Sequence, residues 1–213
     1  MFTGITRHQA RLEQRQDKDG EARMCFQVED GFLTACTEGD SIAVSGVCLT
    51  AVGLESNRFC ADISAETLAR TTLGAWQKGQ PANLELSMKA GDRLGGHLVS
   101  GHVDGRAMLV NKQPDGQSWR LEFEISAVLA KYIAAKGSVC LDGVSLTVND
   151  VRDNEQKYRD QKGGPLPVCR FDVCVIPHTL EVTTLGRLET GDEVNLEVDI
   201  IARYLERLQV GKE

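Results

Sequence analysis

The chain has 213 residues, 41% hydrophobic and 26% charged, the balance of an ordinary globular protein. Its net charge of −7 argues against a nucleic-acid or anionic-membrane partner, which would require a basic face. No apolar run reaches membrane-spanning length, the first residues lack a signal peptide's basic and apolar regions, and the seven cysteines show no Cys-x-x-Cys pair; a cytoplasmic protein with reduced thiols is expected.

Met1-Phe2-Thr3-Gly4-Ile5 opens the chain, and a weak helical piece is predicted near Gly31 to Cys36. Ser41 to Val52 alternates and is rich in Val, Ile and Thr, which reads as β; it contains Gly46-Val47-Cys48-Leu49-Thr50. A short helix is predicted from near Ser64 to Gly74, where a glycine can take the left-handed C-terminal conformation. Ala82 to Met88 reads as a closing strand. The stretch from Arg93 to Gly105 then packs four glycines, His97, His102 and Asp104 into thirteen residues. Glycines there allow close backbone approach to a ligand, and a histidine can move protons near neutral pH. The plain alternative is a tight turn between domains with solvated histidines.

Arg120 to Ile125 alternates strictly, as a half-buried strand should, and Ala127 to Ala135 is predicted helical. Val139 to Val148 reads as β and carries Gly143-Val144-Ser145-Leu146-Thr147. The polar stretch from Asp153 to Pro167 reads as a long mobile hairpin or loop. A helix from Pro177 to Gly186 and a closing strand from Glu193 to Val198 follow. Finally Ile200, Ile201, Tyr204, Leu205 and Leu208 fall at helical spacing as one apolar stripe, to be buried on its own barrel or against another subunit.

The chain repeats itself. The segments at Gly4 and Gly46 recur at Gly101 and Gly143 with an offset of 97. Glu66-Thr67-Leu68 with Thr71-Thr72-Leu73-Gly74, and Gly79 with Asn83-Leu84-Glu85, recur with an offset of 112; the second copy therefore carries a 15-residue insertion. Four blocks in the same order indicate two similar domains, 1–97 and 98–198, with a tail at 199–213. Many short strands with few helical pieces suggest a mostly β fold with a small barrel in each half.

The copies differ where chemistry could sit: Cys48 against Ser145, Ile5 against His102, Glu66 against His178, Gly39 against Lys136. A scaffold kept while its ionisable groups are exchanged fits two related ligands handled differently; drift after duplication is the plain alternative. The five-residue spacing of His97 and His102 is not that of a helical metal pair, so no metal is expected. Nucleotide-binding glycine loops and a nucleophile elbow are absent from the sequence. At 5% aromatic residues, a nucleic-acid barrel would also lack stacking platforms.

Met1 to Ile5, Gly46 to Thr50, Glu66 to Gly74, Gly-Gly-His-x-x-x-Gly-His-Val-Asp at 95–104 and Asp-Gly-x-Ser-Leu-Thr-Val at 142–148 together resemble the riboflavin synthases of the alpha-chain type, over nearly the whole chain. The resemblance implies two homologous six-stranded antiparallel Greek-key barrels plus a C-terminal helix, assembled as a homotrimer through that helix. It implies one 6,7-dimethyl-8-ribityllumazine per barrel, an active site between the N-terminal barrel of one subunit and the C-terminal barrel of its neighbour, no cofactor, and lumazine synthase as a further partner. The reaction is a dismutation in which one lumazine donates a four-carbon unit to the other. By motif position, the implied contacts in the N-terminal barrel are Gly4, Ile5, Thr6, Cys48, Leu49, Thr50, Asp62, Ile63 and Ser64. In the C-terminal barrel they are Gly101, His102, Val103, Lys136, Ser145, Leu146, Thr147, Cys174, Val175 and Ile176. His102 with Thr147 is the candidate pair for proton transfer, Ser145 assists it, and Cys48 or a water placed by it is the candidate for addition. The rival reading is a non-catalytic lumazine or flavin carrier of the same fold.

Overall fold

The computed structural model describes the backbone of residues 1–159 and 165–209, and the side chains of 1–153 and 168–209. The first half contains β1 (His8–Lys18), β2 (Glu21–Val28), β3 (Ser41–Val44), β4 (Val47–Thr50), β5 (Arg58–Ile63), α1 (Ala65–Arg70) and β6 (Pro81–Leu86). The second contains β7 (Gly105–Asp115), β8 (Ser118–Ser126), α2 (Ala127–Ala130), β9 (Ser138–Leu141), β10 (Val144–Arg159), β11 (Pro165–Val175), α3 (Pro177–Val182) and β12 (Glu193–Val198). A terminal α4 (Ile200–Gln209) follows. The strand order β4-β3-β6-β1-β2-β5 recurs as β10-β9-β12-β7-β8-β11, antiparallel throughout. The second half is a closed barrel; in the first, β4 and β5 are joined only by the Val52–Cys60 bridge, whose two hydrogen bonds are both 2.8 Å.

Each half has its own core, and the cores correspond by the repeat offsets. Phe26 stacks on Phe59 at 5.2 Å, and their counterparts Phe123 and Phe171 stack at 5.9 Å. All four rings are fully buried. At roughly 2–3 kcal/mol per buried phenylalanine, these pairs are a substantial part of each half's stability.

Several local expectations are refined or changed. Ser41 to Val52 and Val139 to Val148 are β as expected, each folded as a hairpin. Each turns on two residues with positive φ, Ser45 (42°) with Gly46 (78°) and Asp142 (45°) with Gly143 (81°). This is the turn that matches the twist of paired strands. Gly74 and Gly186 do not end their helices in a left-handed conformation. α1 and α3 stop at Arg70 and Val182, and a 3₁₀ turn follows each. The glycines are needed for space, since a Cβ at Gly74 would lie 2.3 Å from the Leu68 carbonyl oxygen and one at Gly186 2.2 Å from that of Leu180. The helix expected from 127 to 135 is a single turn, and Ile133 is buried in the turns that follow it.

The insertion lengthens β10 and β11 into a paired ribbon, with Glu155 opposite Val168 and Arg159 opposite Pro165. Of the expected hairpin or loop, the described part is a paired ribbon as far as Arg159 and Pro165; 160–164 and 210–213 lie outside the described residues. The expectation of reduced thiols is overturned at one pair. Cys25 on β2 and Cys60 on β5 are directly opposed across the ladder and form a disulfide. Strand pairing, not sequence spacing, brings them together.

Helix α4 turns its polar side inward. Arg203 pairs with Asp104, whose side chain is enclosed, and Lys131 and Tyr132 both meet Glu206. Ile201, Tyr204, Leu205 and Leu208 are left exposed, so the apolar stripe does not pack on its own barrel.

Candidate functional site

Each repeated pentapeptide lies on one lip of a slot. In the second half the β10–β11 ladder stops at Val148–Val173, and Ser145, Leu146 and Thr147 continue along β10 while Cys174 and Val175 continue along β11 without pairing across. In the first half the last link is Val52–Cys60, beyond which lie Cys48, Leu49 and Thr50 on β4 and Asp62, Ile63 and Ser64 on or just past β5. Two strands that part after pairing leave peptide N–H and C=O groups facing the gap. Such groups must find a partner, and a planar heterocycle with its own donors and acceptors can supply one.

The lips share an exposure pattern. Leu49, Ile63 and Val175 point into the cores, while Thr50, Asp62, Ser64, Thr147, Cys174 and Ile176 are exposed. Cys48 and Ser145 are intermediate, at the mouths of their slots. Ser64 also caps α1 by accepting from the Thr67 amide at 3.2 Å, and Asp62 forms an exposed bidentate pair with Arg23 at 2.8 and 2.9 Å.

The third wall of each slot comes from the other repeat. The Cys48 amide donates to the Gly101 carbonyl at 2.9 Å, and the Ser145 amide donates to the Gly4 carbonyl at 2.8 Å. The approach is close enough to require glycine. A Cβ at Gly101 or at Gly4 would lie 2.6 Å from the Cβ of Cys48 or Ser145 respectively, and both glycines have positive φ. Two carboxylates fix these straps. Glu85 accepts from the Thr3 amide (2.7 Å), the Thr3 hydroxyl (2.6 Å) and the Gly4 amide (3.0 Å). Glu197 accepts from the Ser100 amide and hydroxyl (both 2.6 Å) and the Gly101 amide (2.9 Å).

This crossing revises the expected grouping of residues. Gly101, His102 and Val103 stand with Cys48 rather than with Ser145, and Val103 packs on the first core. Gly4, Ile5 and Thr6 stand with Ser145, and the Thr6 hydroxyl donates to the Gly143 carbonyl at 3.2 Å. His102 is exposed on the Cys48 side, whereas Thr147 belongs to the Ser145 slot. The offset of 97 shows that Gly4 and Gly101 are equivalent but carries no information about which barrel each one touches.

Lys136 replaces Gly39 at a position with positive φ, 66° against 94°. Its amide donates to the Val148 carbonyl at 2.7 Å, next to Thr147. A lysine held in a conformation suited to glycine costs backbone energy, and such residues concentrate at functional sites.

His97 escaped the motif-by-motif assignment. It is buried, and its Nδ1 lies 2.7 Å from the Ser145 hydroxyl oxygen. Burial pulls the basicity of the ring below that of an ordinary histidine, against the opposing pull of Asp199 and Glu197. Its Nε2 is also buried, with no hydrogen-bond partner among the described residues. Among those residues no group of His, Cys, Asp and Glu has the arrangement of a metal site, and no helix is long and apolar enough to cross a membrane.

Comparison with known proteins agrees with the two repeats. A family model described as the lumazine binding domain matches residues 3–87 and 100–199. A protein named riboflavin synthase from Brucella abortus is 43% identical over 98% of this chain and 98% of its own length. Another from Mycobacterium tuberculosis is 40% identical over the same shares, and one from Photobacterium phosphoreum is 38% identical over 98% and 88%. Among solved structures, LumP complexed with 6,7-dimethyl-8-(1'-D-ribityl) lumazine superposes with a TM-score of 0.78 at 21% identity, covering 93% of this chain and 99% of that one. LumP complexed with riboflavin gives 0.76 at 23% identity, with the same coverage.

Proposed function

Because this chain belongs to the riboflavin synthase family, whose relatives match it nearly end to end, we propose that it converts two molecules of 6,7-dimethyl-8-ribityllumazine into riboflavin and 5-amino-6-ribitylaminouracil. The observation that carries the reading is the pair of equivalent slots with unequal side chains: Cys48 and His102 at one, Ser145, Thr147 and Lys136 at the other. Each slot takes one ring. Peptide groups and hydroxyls on the lips meet the pyrimidinedione edge and the ribityl chain.

The C7 methyl of a bound ring loses a proton because the resulting carbanion delocalises into the heterocycle. The other ring accepts a nucleophile at C7, and a four-carbon unit then passes between them. Holding two rings in register supplies most of the acceleration, on the order of 7–11 kcal/mol. His102 and Thr147 serve different slots of one chain, so they act as a proton-transfer pair only where a Cys48 slot of one subunit faces a Ser145 slot of another. That requirement supports an assembly of several copies; we read it as a homotrimer joined through residues 199–213, with the bare apolar face of α4 as its contact, working in the cytoplasm. Cys48 is the candidate for addition at its own slot.

The likeness to LumP favours one other reading, a carrier that binds lumazine without turning it over. Incubating the pure protein with 6,7-dimethyl-8-ribityllumazine and following riboflavin absorbance separates the two. Turnover is expected, and tight binding with no riboflavin formed establishes the carrier.

A further inference from the structure

We propose that His97 is a positioning residue for Ser145: its ring donates to the serine oxygen, so that the serine's own proton points into the slot and Ser145 acts on the bound ring as a hydrogen-bond donor, not as base or nucleophile. The inference rests on the riboflavin synthase reading of that slot and assigns Ser145 its part in it.

The argument begins with the backbone. Gly96 is wedged so tightly that a Cβ there would lie 2.2 Å from the Thr3 carbonyl oxygen and 2.9 Å from the Ser145 hydroxyl oxygen. Only glycine brings this segment so close, and the closeness sets the next side chain, His97, against Ser145 with Nδ1 2.7 Å from its oxygen. That distance alone is compatible with donation in either direction.

The far side of the ring decides the direction. Nε2 is buried and unpartnered among the described residues. If Nε2 carried the proton, a buried N–H would be orphaned, and orphaned donors are rarer in folded proteins than under-used acceptors. The proton therefore sits on Nδ1 and is given to Ser145. Burial keeps the ring neutral around pH 7, while Glu197 and Asp199 oppose that shift without overcoming it. A serine oxygen that accepts from Nδ1 no longer has that neighbour as a base to take its proton, so it is poorly placed to become a nucleophile. Its hydroxyl can instead turn outward and donate to a ring heteroatom. That is where negative charge collects when a methyl proton leaves, and donors aimed at developing charge lower the barrier.

The test combines NMR with kinetics. In protein labelled with 15N in its histidine rings, His97 should show a protonated Nδ1 and a bare Nε2. His97→Ala and Ser145→Ala should each lower kcat by about tenfold or more, with little change in KM, the size expected for one lost hydrogen bond to a charged group. The double variant should be no slower than either single one, because His97 acts only through the one hydrogen bond that Ser145 gives the bound ring. His97→Asn, whose amide nitrogen can take the place of Nδ1–H, should recover most of the rate. A protonated Nε2 with a bare Nδ1 overturns the proposal even if the variants fold poorly. So do additive losses in the double variant, or an Asn variant that binds lumazine yet is as slow as the Ala variant. If the wild-type protein shows no turnover, it is the function that fails, and the NMR result still decides the His97–Ser145 arrangement.

Discussion

Replacing Asp142 with asparagine should stabilise the protein at pH 8 and leave it almost unchanged near pH 4. Asp142 occupies the tip of the β9–β10 turn, buried between the two halves. Its carboxylate accepts from the Asn195 amide at 2.8 Å, and its backbone carbonyl accepts from the Asn83 side chain at 2.8 Å. Burial pushes the acid up to about 7 from an ordinary value of 3.8, and the Asn195 amide only partly offsets it. The folded state therefore holds the proton more tightly than the unfolded chain. Asp142 is harmless below pH 3.8, becomes increasingly unfavourable as the pH rises to about 7, and costs a constant amount above that. At about 1.4 kcal/mol per pH unit of separation, the ceiling is on the order of 4 kcal/mol. Asparagine keeps the acceptor for Asn195, tolerates the positive φ and carries no charge. Guanidinium unfolding of both proteins at pH 4, 6 and 8, at fixed protein concentration, isolates the effect, since all other titrating groups are shared. An advantage that does not grow with pH, or a variant weaker than wild type at pH 8, would show that the buried carboxyl is not strained by its charge.

Gly143→Ala should destabilise the protein by about 2 kcal/mol or more, visible as a drop in Tm, because its Cβ would lie 2.9 Å from the Gly46 amide nitrogen and its φ is 81°. Thiol titration of the denatured, unreduced protein should find five cysteines rather than seven; reducing Cys25–Cys60, which closes a separation of 35 residues, should cost roughly 3–4 kcal/mol in unfolding free energy. Seven thiols would mean that the opposed pair stays reduced. If the proposed trimer forms through α4, Tyr204→Glu with Leu208→Glu should leave only monomer in analytical ultracentrifugation and abolish turnover while the barrels stay folded, since both side chains are exposed in the single chain; a wild-type protein that sediments as a monomer refutes the assembly.

Much of the architecture could be read from two offsets. The shift of 97 pairs β1 to β4 with β7 to β10, and the shift of 112 pairs β5, α1 and β6 with β11, α3 and β12. What escaped reading depends on space rather than on order. Ser45-Gly46 and Asp142-Gly143 are ordinary turn dipeptides set in stretches of strong β-propensity, so β-character is legible there while the fold-back at each dipeptide is not. Cys25 and Cys60 carry no spacing signal, because cross-strand register decides whether they meet. His97 was visible as a histidine among glycines, but its contact with Ser145 spans 48 residues and two barrels. Asp142 reads as a turn residue, and only its enclosure between the halves makes it an unusual acid.

The exchange of straps has an evolutionary corollary. Gly4 seals the partner repeat's slot and Gly101 seals the first, while Asn83 and Asn195 each reach across to the other half's 3₁₀ turn, at Thr184 and Thr72, both at 2.8 Å. A forerunner with a single repeat could have satisfied those bonds only by embracing a twin about a twofold axis. Fusing two genes then kept the embrace inside one polypeptide and freed each half to mutate alone, which a symmetric pair of identical chains can never do.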